Sequence, residues 1–133
     1  MKALLKISGL VLVFAFSRCS AQIQEGDLVG TQWEYAFDAE NKDYIKFFDN
    51  QKYESYSAEA MMTSIGVYFV QNDTLNLVGV KDIDNDPRFS PGHRRALIEG
   101  DKLRYVANEK IKEGKWIKSD YSPPEYYFFT KVK

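Results

Sequence analysis

Cysteine, histidine and proline are scarce in this chain, with one, one and four copies among 133 residues. A single cysteine, Cys19, cannot close an intrachain disulfide or build a thiolate metal centre. The lone His93 has no partner at metal-ligand spacing, so it reads as an ordinary histidine in a loop or at a strand start rather than a metal ligand or a general acid or base. Charge of one sign is also missing. Eighteen basic residues face nineteen acidic ones, which leaves no cationic footprint for nucleic acid. No Gly-x-Ser-x-Gly elbow, Gly-x-Gly-x-x-Gly turn or phosphate-binding Gly-Lys-Ser/Thr loop occurs, so neither an acyl-transfer nucleophile nor a nucleotide cradle is indicated. The chain is expected not to be an enzyme and to need no cofactor. No repeat of solenoid length is visible, and the length suits one domain.

What the chain does contain begins with an export signal. Lys2 and Lys6 precede the apolar run from Ile7 to Phe16, which has signal-peptide length and falls short of a membrane span. Cys19-Ser20-Ala21 forms a small-x-small cleavage site before Gln22. Residues 1–21 therefore read as a signal peptide and 22–133 as the mature domain, exported to the periplasm or the outside. A lipid anchor on Cys19 is the disfavoured alternative, because the bulky Arg18 stands where lipoprotein processing wants a small residue. Cleavage would leave 15 basic against 19 acidic residues, a net charge of about −4. The mature chain would then hold no cysteine, and burial alone would have to stabilise it.

Beyond residue 30 helical periodicity is rare and the rings are dense, with nine Tyr, nine Phe and two Trp in the whole chain. Alternation of apolar and polar residues between turn signals predicts short strands over Val29–Phe37, Tyr44–Phe48, Lys52–Ser57, Ile65–Gln71, Thr74–Lys81, Arg94–Glu99, Lys102–Asn108, Lys115–Lys118 and Glu125–Val132. In the first of these, Val29, Trp33, Tyr35 and Phe37 share one face. Ala58–Ser64 reads as a short helical or irregular crossing. Asn72-Asp73 suits a tight primed turn, and with Thr74 it also spells a glycosylation sequon to which no function is assigned. Asp82–Gly92 is the longest loop. Hairpins in series predict an all-β fold, an antiparallel up-and-down β-barrel of about eight or nine strands, with a two-sheet sandwich as the rival.

Gly30-Thr31-Gln32-Trp33 resembles the Gly-x-Trp signature that opens the first strand of lipocalins, one residue longer here. Gly66-Val67-Tyr68-Phe69-Val70, Asp73-Thr74-Leu75-Asn76-Leu77, Gly100-Asp101-Lys102-Leu103 and Phe128-Phe129-Thr130-Lys131 are similar to small bacterial lipocalin-like domains of the calycin group. The resemblance implies a small antiparallel barrel and no particular ligand. It also implies that Trp33 packs across the closed end beneath a basic side chain, with Lys131 the first candidate and Arg104 the second.

Asp82-Ile83-Asp84-Asn85-Asp86 begins like a calcium loop, but Pro87 and His93 stand where an EF-hand requires Gly and Glu. A solvated acidic loop is the better reading, and no metal site is expected. The tyrosines outnumber what a dry core favours, since each buried hydroxyl needs a partner; either a lumen or placement at a rim would satisfy them. Arg95 shares a face with Leu97 and Glu99, opposite Ala96 and Ile98, and is a lumen residue only if the Leu97 face points inward.

The expected function is an exported lipocalin-like barrel binding a small hydrophobic or amphipathic molecule, with Tyr35, Phe47, Tyr56, Tyr68, Arg95 and Tyr105 as the ligand-binding residues. The alternative is a filled barrel acting as an envelope protein-protein interaction module through the loops Asp82–Gly92 and Ser119–Glu125. No nucleic-acid partner and no transmembrane segment after signal cleavage are expected.

Overall fold

The computed structural model describes residues 23–119 and 123–133. The expected signal peptide, with Cys19, and the middle of the Ser119–Glu125 loop lie outside the described residues. After one 3₁₀ turn at Glu25–Asp27 come nine strands: β1 Gln32–Ala36, β2 Lys42–Phe47, β3 Lys52–Ser57, β4 Met62–Gln71, β5 Thr74–Asp82, β6 Gly92–Glu99, β7 Lys102–Lys112, β8 Lys115–Lys118 and β9 Phe129–Lys131. All pairings are antiparallel. The sheet runs β6-β5-β4-β3-β2-β1-β9-β7-β8, and pairing of β6 with β7 closes it on itself. Eight strands form the up-and-down barrel, while β8 is an extra strand folded back on the far end of β7. No helix among the described residues is long and apolar enough to cross a membrane.

Alternation explains the closure. Asp43, Ile45 and Phe47 of β2 are buried inward between partly or fully exposed neighbours, and Leu75, Leu77 and Gly79 are the inward residues of β5, where the intervening Asn76 is buried as well, as the period of two places them. The turns carry the positive backbone angles that let hairpins follow the strand twist. Asn72 and Asp73 lie at φ 51° and 63°, and Asn50 and Gln51 at 56° and 58°. Gly66 sits where β4 slips register against β5. A Cβ there would collide with the Val78 carbonyl oxygen and approach the Tyr53 ring, so the bulge and the ring beside it require glycine.

Four expectations change. Gly30 at φ 81° breaks the first strand, leaving Val29 and Phe37 exposed while Trp33 stays buried. Ala58–Ser64 is no helical crossing: a short turn there leads directly into β4, which begins at Met62. Strand β7 runs on to Lys112. The final strand shrinks to Phe129–Lys131, because the Tyr127 and Phe128 N–H groups turn back to the Pro124 and Tyr126 carbonyls and are not offered to a ladder.

The core occupies one end of the barrel. Leu28, Trp33, Ile45, Phe47, Tyr68, Leu75, Ala96 and Leu103 are essentially inaccessible, and each large side chain among them contributes about 1.5–3 kcal/mol by burial. The 3₁₀ turn lies across this end, held where the Val70 N–H donates to Glu25 Oε1 at 2.8 Å. Trp33 Nε1 donates to Thr31 Oγ1 at 2.9 Å, and that hydroxyl donates to the Leu28 carbonyl at 2.7 Å, so the buried indole is satisfied. Lys131 stands opposite Trp33 in the β1–β9 register. The cation-ring contacts among the described residues are Lys46 on Tyr44, Arg94 on Tyr105 and Lys102 on Phe128. Neither Lys131 nor Arg104 covers the indole, contrary to the expectation.

Candidate functional site

The other half of the interior is built differently. Here the inward positions are small: Ser55 and Ser57 on β3, Ser64 on β4, Gly79 on β5 and Gly92 on β6 all line a cavity of about 650 Å³. Side chains this short cannot fill an eight-stranded barrel, which is wide enough to hold one small molecule. The interior therefore grades from packed hydrocarbon at the closed end to a recess walled by serine, glycine and tyrosine. Its volume lies in the range of small-molecule sites.

Aromatic rings form one wall. Tyr127 meets Tyr35 edge-on at 4.7 Å and Phe129 at 5.3 Å, and Tyr105 stacks near Tyr127 at 6.5 Å. Tyr127 also latches the wall. Its hydroxyl donates to Asp43 Oδ2 at 2.6 Å, and the Ala58 N–H donates to Asp43 Oδ1 at 2.7 Å. One buried carboxylate thus ties β2 to the C-terminal segment and to the turn before β4. Burial, and then the Asp43 hydrogen bond, push the Tyr127 pKa far above the ordinary phenol value, and burial raises that of Tyr53 likewise. Both hydroxyls keep their protons at any physiological pH.

Arg88 and Lys110 line this recess too, and Arg94 is the cation set against its packed end. It faces inward because it sits opposite Leu77 and two residues before the buried Ala96. It lies deep within the protein yet remains accessible, since it projects into the cavity instead of onto packed neighbours. Its guanidinium lies 5.2 Å from the centre of the Tyr105 ring. Tyr105, foremost, holds the Arg94 pKa above its ordinary value.

The residues expected from sequence divide four ways. Tyr35 and Tyr105 line the cavity. Tyr56 reaches only its edge, because its ring stacks on Tyr44 at 5.5 Å across the outer face of β2 and β3. Phe47 and Tyr68 are in the packed end, in edge contact at 4.9 Å, with the Tyr68 hydroxyl donating to the Phe48 carbonyl; they are core and do not touch the recess. Arg95 is on the outside. It pairs there with Glu109 at 2.7 Å, because Ala96 and Ile98 take the inward positions and Leu97 faces out. Sequence reading missed Arg94, Tyr53, Asp43 and Tyr127. The available signal was the run of small residues that shares a face with Tyr53, which marks a strand that does not fill its side of the barrel.

Outside the barrel, His93 Nε2 lies 2.9 Å from Asn76 Oδ1 and Nδ1 lies 3.6 Å from Glu109 Oε2. Burial first, and then the Arg95 charge, lower its pKa, with Glu109 opposing. His93 is thus a partly buried residue at a strand start, one of the two placements the sequence left open. In the acidic loop, Asp82 accepts from the N–H groups of Asp84 and Asp86 at 2.8 and 2.9 Å, and the Arg88 guanidinium holds the Asp86 carboxyl down to about 2. These carboxylates serve the loop's own backbone and Arg88, and no cluster of three or more potential metal ligands occurs among the described residues. Comparison with family models, with curated proteins and with solved structures finds no match to this chain.

Proposed function

We propose that this protein is an exported container of the lipocalin-like kind, which holds one small amphipathic molecule in the open half of its barrel. The observation that carries the reading is the recess of about 650 Å³, walled by rings and vacated by serine and glycine at the inward positions. A barrel selected only for stability fills such positions, because each void forfeits packing. Affinity would come from apolar burial at about 25 cal/mol per Å², with the polar groups of the recess setting orientation. The signal-like first 21 residues support export, and the lack of cysteine after Cys19 is compatible with it. Native mass spectrometry of freshly isolated protein tests the proposal. A single retained small-molecule mass is expected, displaced by detergent; a clean apo mass under conditions that preserve the fold counts against it.

A second reading is favoured by one feature of the surface. The β7–β8 hairpin leaves Ile111, Trp116 and Ile117 exposed, as a docking edge for a protein partner would. That reading predicts the clean apo mass together with a concentration-dependent partner complex lost on Trp116→Ser.

A further inference from the structure

Granting the container reading, on which this rests, we infer that Arg94 and Tyr53 receive the carboxylate of an amphipathic acid, which enters head first with its hydrocarbon tail toward the mouth. Cations with a carboxylate beside them among the described residues are Lys42, Arg88, His93 and Arg95. All of these lie away from the interior wall or at its rim. Arg94 has no carboxylate within ion-pair distance in that set. Of the carboxylates that line the cavity, Asp43 already spends its oxygens on Tyr127 and the Ala58 N–H, and Glu59 forms no ion pair among the described residues.

A guanidinium cannot escape by losing its proton, so Arg94 carries the cost of a charge in a recess only partly open to water. The Tyr105 ring offsets part of that cost. The fork of N–H donors still facing the cavity matches a planar carboxylate, the anion that guanidinium binds in bidentate fashion. Tyr53 supplies a second donor. It is 6% exposed, its ring lies against Gly66 and its hydroxyl near Gly79 on the cavity wall, and no hydrogen-bond partner for that hydroxyl occurs among the described residues. Its raised pKa keeps the donor proton in place.

The direction of entry follows from where the apolar wall lies. Arg94 is set opposite Leu77, next to the packed end, whereas Phe37, Ala60, Met62 and Phe89 line the cavity beyond it. Phe37 is 53% exposed, which places it at the opening. A tail would therefore cover apolar surface at the mouth while the head group reaches the cation.

Calorimetric titration of the full chain with dodecanoate and with dodecan-1-ol, both below their aggregation limits, tests this. A hydrogen bond to a charged group predicts that dodecanoate binds about ten- to a hundredfold more tightly. Arg94→Gln should abolish that preference and leave dodecanol binding within about twofold, while Tyr53→Phe weakens dodecanoate alone by about three- to tenfold. Equal binding of acid and alcohol by the parent protein overturns the carboxylate assignment and leaves the container standing. Binding of neither overturns the container as well. A preference that survives in Arg94→Gln removes Arg94 from the site. The parent comparison decides the head-group chemistry even where a variant fails to fold.

Discussion

Asp43→Ala is the most informative single substitution in the barrel wall. The carboxylate is 7% exposed and accepts two short hydrogen bonds, one from Tyr127 at 2.6 Å and one from Ala58 at 2.7 Å. Hydrogen bonds to a charged acceptor contribute about 1.5–3 kcal/mol each. The Tyr127 hydroxyl can turn toward the cavity and recover part of its loss, so the expected cost is about 2–4 kcal/mol. For a domain of this size that lowers Tm by about 10–20 °C. Thermal melts followed by circular dichroism measure it, and a double-mutant cycle with Tyr127→Phe isolates the shared bond, for which a coupling of about 1–2 kcal/mol is expected. A melting point within about 2 °C of the parent, or strict additivity in the cycle, would refute the latch.

Gly66→Ala should cost about 1–3 kcal/mol in urea unfolding, because the obstacle is the Val78 carbonyl and not a movable side-chain tip; an unchanged midpoint would mean that β4 and β5 are not bulged there. Arg94→Met should raise the Tm of the ligand-free protein by several degrees, since it removes a charge that no carboxylate among the described residues compensates. A loss of stability would mean that the Tyr105 contact outweighs the burial cost. For His93 the sign is fixed by its lowered pKa. The unfolded chain binds more protons than the folded one below about pH 6.5, so stability falls as pH drops through that value toward the folded pKa. Melts between pH 7.5 and 5 should slope downward in the parent and less so in His93→Gln. Identical slopes would assign the effect to other groups.

The barrel was legible because its signals are local and repeated. Asn72-Asp73 marks a hairpin by its own backbone preferences, and the alternation in β2 and β5 shows which residues turn inward. Lys52–Ser57 has the boundaries that its turn residues and alternation predict. The recess was far less legible. Arg94 and Arg95 are equivalent to any pattern that treats Leu97 as the natural inward residue. There the buried ring of Tyr105, the register partner of Ala96, already occupies the interior, so Ala96 is the side chain that fits and Leu97 faces out. Phe47 and Tyr68 have the composition of cavity walls but lie at the filled end, because position along the barrel axis depends on strand stagger, which a single sequence does not display. The Tyr127–Asp43 bond joins residues 84 apart, beyond the reach of any local rule.

The most direct measurement is a two-dimensional NMR titration of the ring, indole and guanidinium resonances with dodecanoate. Saturation at one equivalent is expected, with the Arg94 Nε–H and the Tyr35, Tyr53 and Tyr105 rings shifting while the Trp33 indole at the packed end stays still. Shifts confined to Trp116 and its hairpin, or none at all, would contradict an interior that is half core and half vessel.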